Sequence, residues 1–174
     1  MAPVSWAASV QPGVPMGLIG KIVRTGRVAE KTADRDPSAP DAIDRLHGSL
    51  QLRHVDVGSC NGCEIEISGC FSPVYDAERY GVRLVASPRH ADGLLVTGVV
   101  TQNMSRALQE TLDAVPAPAL VIAVGDCAVS GGIFLDSYAV RGQLSDLVDV
   151  DFEIPGCPPD PSQIIGVLRC VTGR

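Results

Sequence analysis

Three short strand-like runs in this sequence each hand the chain over to a cysteine. Residues 50–57 lead through Gly58 and Ser59 into Cys60, residues 119–124 through Gly125 and Asp126 into Cys127, and residues 151–154 through Pro155 and Gly156 into Cys157. Apolar runs of this length, bounded by Gly and Pro, read as β-strands. Helical patterns separate them, and strands that alternate with helices predict a doubly wound, mostly parallel α/β sheet. In such a sheet the loops beyond the carboxyl ends of the strands converge, and sites are built there. The spacing therefore predicts three loops delivering four thiols to one sheet edge, because Cys63 rides with Cys60.

The remaining elements follow from periodicity. Ile67, Cys70 and Phe71 share a helical face behind the Cys60–Cys63 pair, and Pro73 ends that helix. Residues 76–80 offer another turn closed by Gly81, and residues 82–86 a second strand. Leu94, Leu95, Val96, Val99 and Val100 form a third strand region, interrupted by Thr97 and Gly98. Thr101 or Asn103 can cap a helix in which Met104, Leu108, Leu112 and Val115 keep helical spacing, and Pro116 and Pro118 stop it. A last helix starts at Pro161, with Ile164, Leu168 and Val171 on one face. Aromatic residues make up only 4% of the chain, so the core is aliphatic, as buried parallel strands require.

Residues 1–49 read differently from residues 50–174. The first part is rich in Pro and Gly and reads as a flexible N-terminal arm. Within it Leu18, Ile19, Ile22 and Val23, with Lys21, Arg24 and Arg27 around them, make a short basic amphipathic helix. Such a helix docks on its own domain, on a partner subunit or on a membrane surface. Residues 28–49 are charged and read as a linker, with His47 exposed. The net charge of −6 argues against nucleic acid, which needs a basic face. There is no apolar run of about 18 residues, and no secretory or twin-arginine signal is visible. The expected location is the cytoplasm, with any membrane contact peripheral and made through partners. In that reducing compartment six cysteines serve as ligands or buried apolar groups rather than disulfides.

The four thiols fall in the pattern C-x2-C-x63-C-x29-C. Three chemistries are open to them. A structural zinc module usually draws on two short Cys/His pairs, and only one is present here. A redox dithiol accounts for Cys60 and Cys63 but leaves Cys127 and Cys157 without a role. A [4Fe–4S] cluster uses four thiolates, and a cysteine followed by proline, as at Cys157, is common among its ligands. Gly125, Gly131 and Gly132 would let backbone N–H groups approach anionic sulfurs, and Pro155, Pro158 and Pro159 would stiffen the last loop. The helix behind Cys63 could point its positive end at the group. Cys70 and Cys170 lie on apolar helical faces and read as buried structural thiols. Glu64 and Glu66 are candidate proton carriers or ordinary first-turn acids, and Arg89 and His90 sit on a loop expected at the same sheet edge.

The segments CNGCEIEI, SPRHAD, GDCAVSGGIF and IPGCPP occur in one order between Leu50 and Gly173. With these motifs the chain resembles the small iron–sulfur subunit of energy-converting, membrane-associated [NiFe] hydrogenases, formate hydrogenlyase among them. Those proteins are homologous to the small iron–sulfur subunit of respiratory complex I. The resemblance implies a flavodoxin-like domain with one [4Fe–4S] cluster held by Cys60, Cys63, Cys127 and Cys157, and no catalytic residue in this chain. It also implies a hydrogenase-like large subunit carrying the active centre, with ferredoxin-like and membrane subunits in one complex on the inner face of the cell membrane. The complex I relatives have adjacent cysteines at the first motif, whereas Asn61 and Gly62 separate them here, which favours the hydrogenase branch. The alternatives are a complex I-like subunit passing electrons to quinone, and a structural zinc module.

Overall fold

A computed structural model of the protein describes residues 18–26 and 48–174. The chain divides into two compact units, Met1–Lys31 and Thr32–Arg174. In the first, α1 (Leu18–Thr25) is the expected amphipathic helix, with Leu18, Ile19 and Val23 exposed. The linker and His47 readings fall mainly outside the described residues.

In the second unit the strands are β1 (Leu50–Asp56), β2 (Val82–Leu84), β3 (Gly93–Thr97), β4 (Val100–Thr101), β5 (Leu120–Val124), β6 (Val140–Gly142) and β7 (Phe152–Ile154). The helices are α2 (Gly62–Cys70), α3 (Gln102–Asp113), α4 (Asp126–Ser130) and α5 (Pro161–Thr172). Five strands form one parallel sheet in the order β2-β1-β3-β5-β7. In chain order that is second, first, third, fourth, fifth, the flavodoxin-like arrangement. The register matters most for function. Asp56 pairs with Thr97, Thr97 with Val124, and Val124 with Ile154, so four strands end in one level row.

Alternation along the strands splits the core between the two faces of the sheet. Leu52, Leu95 and Ile122 pack with Ile67 of α2 and Ile164 and Leu168 of α5. Val55, Leu94, Val96 and Val121 pack on the opposite side with Leu108 of α3. Each fully buried aliphatic side chain contributes about 1.5–3 kcal/mol, which is why this aliphatic sequence needs helices on both faces. Outside the strand ladders, aspartates staple neighbouring strands at their starts. Asp92 donates its N–H to Gln51 O at 2.7 Å and accepts from Gln51 N at 2.7 Å. Asp151 does the same with Val121, at 2.9 and 2.8 Å.

Several local expectations hold. The helix after the first cysteine pair ends at Cys70, Gly81 closes the turn Ala77–Tyr80, and α5 starts at Pro161 under an Asp160 cap that accepts from Ser162 N at 2.8 Å. Others need correction. The third strand region is two strands in different sheets, since β4 pairs antiparallel with β6, which the sequence did not announce. The break is at Gly98, where φ is +86° and a Cβ would stand 2.4 Å from Ser59 N. Thr101 precedes α3, but its hydroxyl donates to Val57 O at 3.0 Å instead of capping the helix. The loop bearing Arg89 and His90 is tied at both ends to Gln51 and Leu52, through Val85 N to Leu52 O and Asp92 N to Gln51 O. Leu52 lies four residues before the end of β1, so this loop does not spring from the strand ends that carry the cysteines. Cys70 is fully buried as expected, whereas Cys170 is only half-buried.

Candidate metal centre

The level row of strand ends sets where the thiols fall. β1, β5 and β7 stop together, and their loops place Cys60, Cys63, Cys127 and Cys157 around one cavity of about 120 Å³. Ser59, Gly62, Gly98, Asp126, Gly156 and Pro158 complete its wall. Cys63 and Cys127 are buried at its base and Cys60 and Cys157 are exposed at its mouth. All four expected ligands are thus brought together. Arg89, His90, Cys70 and Cys170 are not among the lining residues. Among the described residues, no group of three or more Cys, His, Asp or Glu gathers on a single-ion point.

Each cysteine loop has its own means of support. Asp56, the last residue of β1, accepts from both Gly58 N and Ser59 N at 2.8 Å. Asn61 then turns the chain in the left-handed region, at φ +72°, and places Cys63 in the first turn of α2. Gly125 follows β5 at φ +87°, and a Cβ there would stand 2.5 Å from Cys63 Sγ. Only glycine permits that close approach of backbone to sulfur. A Cβ at Gly132 would lie 3.3 Å from Cys127 Sγ, whereas Gly131 packs against the Leu135 side chain rather than a thiol. The third loop is joined to the second by Asp126, whose carboxylate accepts from Gly156 N at 2.7 Å.

Burial pushes the Cys63 thiol up to about 12, with the charges of Glu64 and the other three sulfurs adding to it. Cys127 is raised for the same reasons, burial first and then Cys157 and Cys60. With no cation beside them Cys63 and Cys127 resist ionisation, and a bound metal group would supply the missing positive charge while releasing protons. The donor set is all sulfur, lies on three loops and encloses a space larger than one ion, so these residues fit an iron–sulfur cluster.

A model of the family described as NADH ubiquinone oxidoreductase, 20 kDa subunit, matches residues 60–171, which include all four thiols. The chain belongs to that family. Formate hydrogenlyase subunit 7 of Escherichia coli is 43% identical over 147 residues, 83% of this chain and 58% of that protein. A probable membrane-bound hydrogenase subunit, mbhJ of Pyrococcus furiosus, is 48% identical over 112 residues, 64% of this chain and 67% of that protein. The chain thus spans little more than half of the first relative and two thirds of the second. Among solved structures, a chain of the archaeal membrane-bound sulfane sulfur reductase superposes with a TM-score of 0.64 at 32% identity, covering 75% of this chain and 74% of its own. Membership makes the chain a subunit type of oxidoreductase complexes. Among the described residues, no helix is long and apolar enough to cross a membrane.

In this family member a polar trio also sits beside the thiols. His54 Nε2 lies 3.0 Å from Thr97 Oγ1, the Thr97 hydroxyl donates to Glu64 Oε1, and Glu64 Oε1 is 3.7 Å from His54 Nε2. Burial lowers the His54 pKa, against the pull of Glu64 and Asp56. Glu64 Oε2 is buried without a hydrogen bond among the described residues. Leaving a buried acceptor unmet costs about 1–3 kcal/mol. Sequence reasoning had Glu64 but not its partners, because His54 and Thr97 lie on two different strands. It also missed Asp56 and Asp126, whose role is to hold loop backbone; the Asp of GDC was visible, but its partner Gly156 lies 30 residues away.

Proposed function

We propose that this chain is an electron-transfer subunit in which Cys60, Cys63, Cys127 and Cys157 hold one [4Fe–4S] cluster. The cluster would lie proximal to the active centre of a [NiFe]-hydrogenase-like large subunit in a membrane-associated complex. The observation that carries this reading is the convergence of four thiols from three loops on one cavity of about 120 Å³. A lone zinc ion, with sulfurs at about 2.3 Å, would draw the thiols together on a point rather than around a cavity. When bound, such a cluster takes up and gives out single electrons. The buried pair Cys63 and Cys127 anchors it, and the exposed pair Cys60 and Cys157 leaves one side open towards a partner. Exposed Ile133 and Tyr138, on the segment after Cys127, add apolar surface that a partner subunit would cover. Residues 50–174 would form the cluster domain and residues 1–49 an arm, with the complex on the inner face of the cell membrane and including ferredoxin-like and membrane subunits.

Anaerobic purification followed by iron, sulfide and zinc analysis tests the cofactor. About four iron atoms with sulfide are expected, and Cys127→Ala should lose them; unchanged iron in that variant removes the ligand assignment. The family description also keeps a quinone-reducing, complex I-like role in view. The sequence of the large subunit separates the two, since a nickel site there requires two CxxC pairs near its termini.

A further inference from the structure

We propose that Asp126 is a positioning residue for the metal centre: its side chain locks the Cys157 loop onto the Cys127 loop, and its charge at the cavity wall lowers the reduction potential of the bound cluster. The inference rests on the cluster reading given above and names a second role within the same site. Asp126 lines the thiol cavity. Its Oδ1 accepts from Gly156 N at 2.7 Å, and its own N–H donates to Gly156 O at 2.8 Å. Both bonded residues are direct chain neighbours of ligands, since Cys127 follows Asp126 and Cys157 follows Gly156. The pair therefore fixes two cysteine backbones against each other across 30 residues of sequence. The Asp56 carboxylate does no such bridging: among the described residues it accepts only from Gly58 and Ser59 of its own loop.

Geometry alone does not call for an acid here. An asparagine oxygen could accept the same bond from Gly156 N. A carboxylate set among four thiolates adds like charge to a site already crowded with it, and that charge opposes the arrival of an electron. Asp126 is half-buried, so solvent weakens the effect without removing it. The same reciprocal staple recurs at the other end of β5, between Asp151 and Val121, away from the thiols. That repetition supplies an internal control.

The test uses the full chain, reconstituted anaerobically with ferrous iron and sulfide, as wild type, D126N, D126A and D151A. Iron and sulfide content, the electron paramagnetic resonance spectrum, the potential from a redox titration and the far-ultraviolet dichroism are read for each. D126N should keep its iron, and its potential should move to a more positive value. D126A should fold yet retain several-fold less iron after gel filtration, while D151A keeps wild-type iron. If D126A fails to fold, the D126N potential decides alone. The proposal is overturned by D126A holding iron like wild type, by D126N losing it as fully as D126A, or by an unmoved D126N potential. Wild type that takes up no iron overturns the cluster reading itself, which is a different failure.

Discussion

At Gly125 the centre has no room for a side chain. The residue sits at φ +87°, and an added Cβ would press to 2.5 Å from Cys63 Sγ, a contact relieved only by moving the thiol or the loop. Gly125→Ala should therefore lose most of its iron while the sheet still folds, read as iron per chain beside circular dichroism. Full iron in this variant would mean that the loop shifts freely and that the close approach is incidental. Cys70 gives the opposite expectation. Its thiol is raised to about 11 by burial, lies against Pro161 O at 3.6 Å and does not line the cavity. Cys70→Ala should keep wild-type iron, which separates ligand thiols from packing thiols in one assay.

At the scale of elements, the strand that carries the second cysteine loop is also the centre of the core. Ile122 is fully buried in β5, between β3 and β7. Ile122→Ala should lower unfolding free energy by about 2–5 kcal/mol, measured by denaturant titration, without changing iron content under native conditions. Loss of iron at full stability would show that the site depends on β5 in a way the register does not explain. Much of this layer was legible in sequence. Residues 119–124 are a continuous aliphatic run ended by glycine, and Pro161 marks the start of α5. What escaped has a physical reason. β4 and β6 are two and three residues long, too short for a periodicity, and their pairing joins Val100 to Gly142 and Thr101 to Val140, far apart in the sequence. The thiol cavity was legible because Cys60, Cys127 and Cys157 each follow a strand within a few residues and Cys63 rides with Cys60. The supports Thr97 and Asp126 were not, because their partners Glu64 and Gly156 lie 33 and 30 residues away; Asp56 bonds the nearby Gly58 and Ser59, but as the last residue of a strand it carries no separate signal.

For the whole molecule, metal and protons are linked through the same thiols. In the metal-free protein Cys63 titrates near 12 in the fold, against 9.0 unfolded, and Cys127 and Cys70 are raised too. The unfolded chain then loses its protons first, so stability that is fully present below about pH 9 drains away as pH rises towards about 12. His54 acts at the other end. Its pKa is held below 6.5 by burial, the unfolded chain binds the proton more readily, and stability falls as pH drops below that value. Loading the centre changes the two limbs unequally. On the proposed ligation Cys63 and Cys127 would be thiolates bound to metal with no proton left to lose, so only Cys70 of the three would still weaken the fold in alkali. In acid, protons compete with the metal for sulfur, which adds to the loss caused by His54. Melting temperature against pH, followed anaerobically for both forms, should show a flatter alkaline limb and a steeper acid limb in the loaded protein. Stripping the metal with a chelator should restore the alkaline slope, while identical alkaline slopes in the two forms would mean that Cys63 and Cys127 do not ligate the metal.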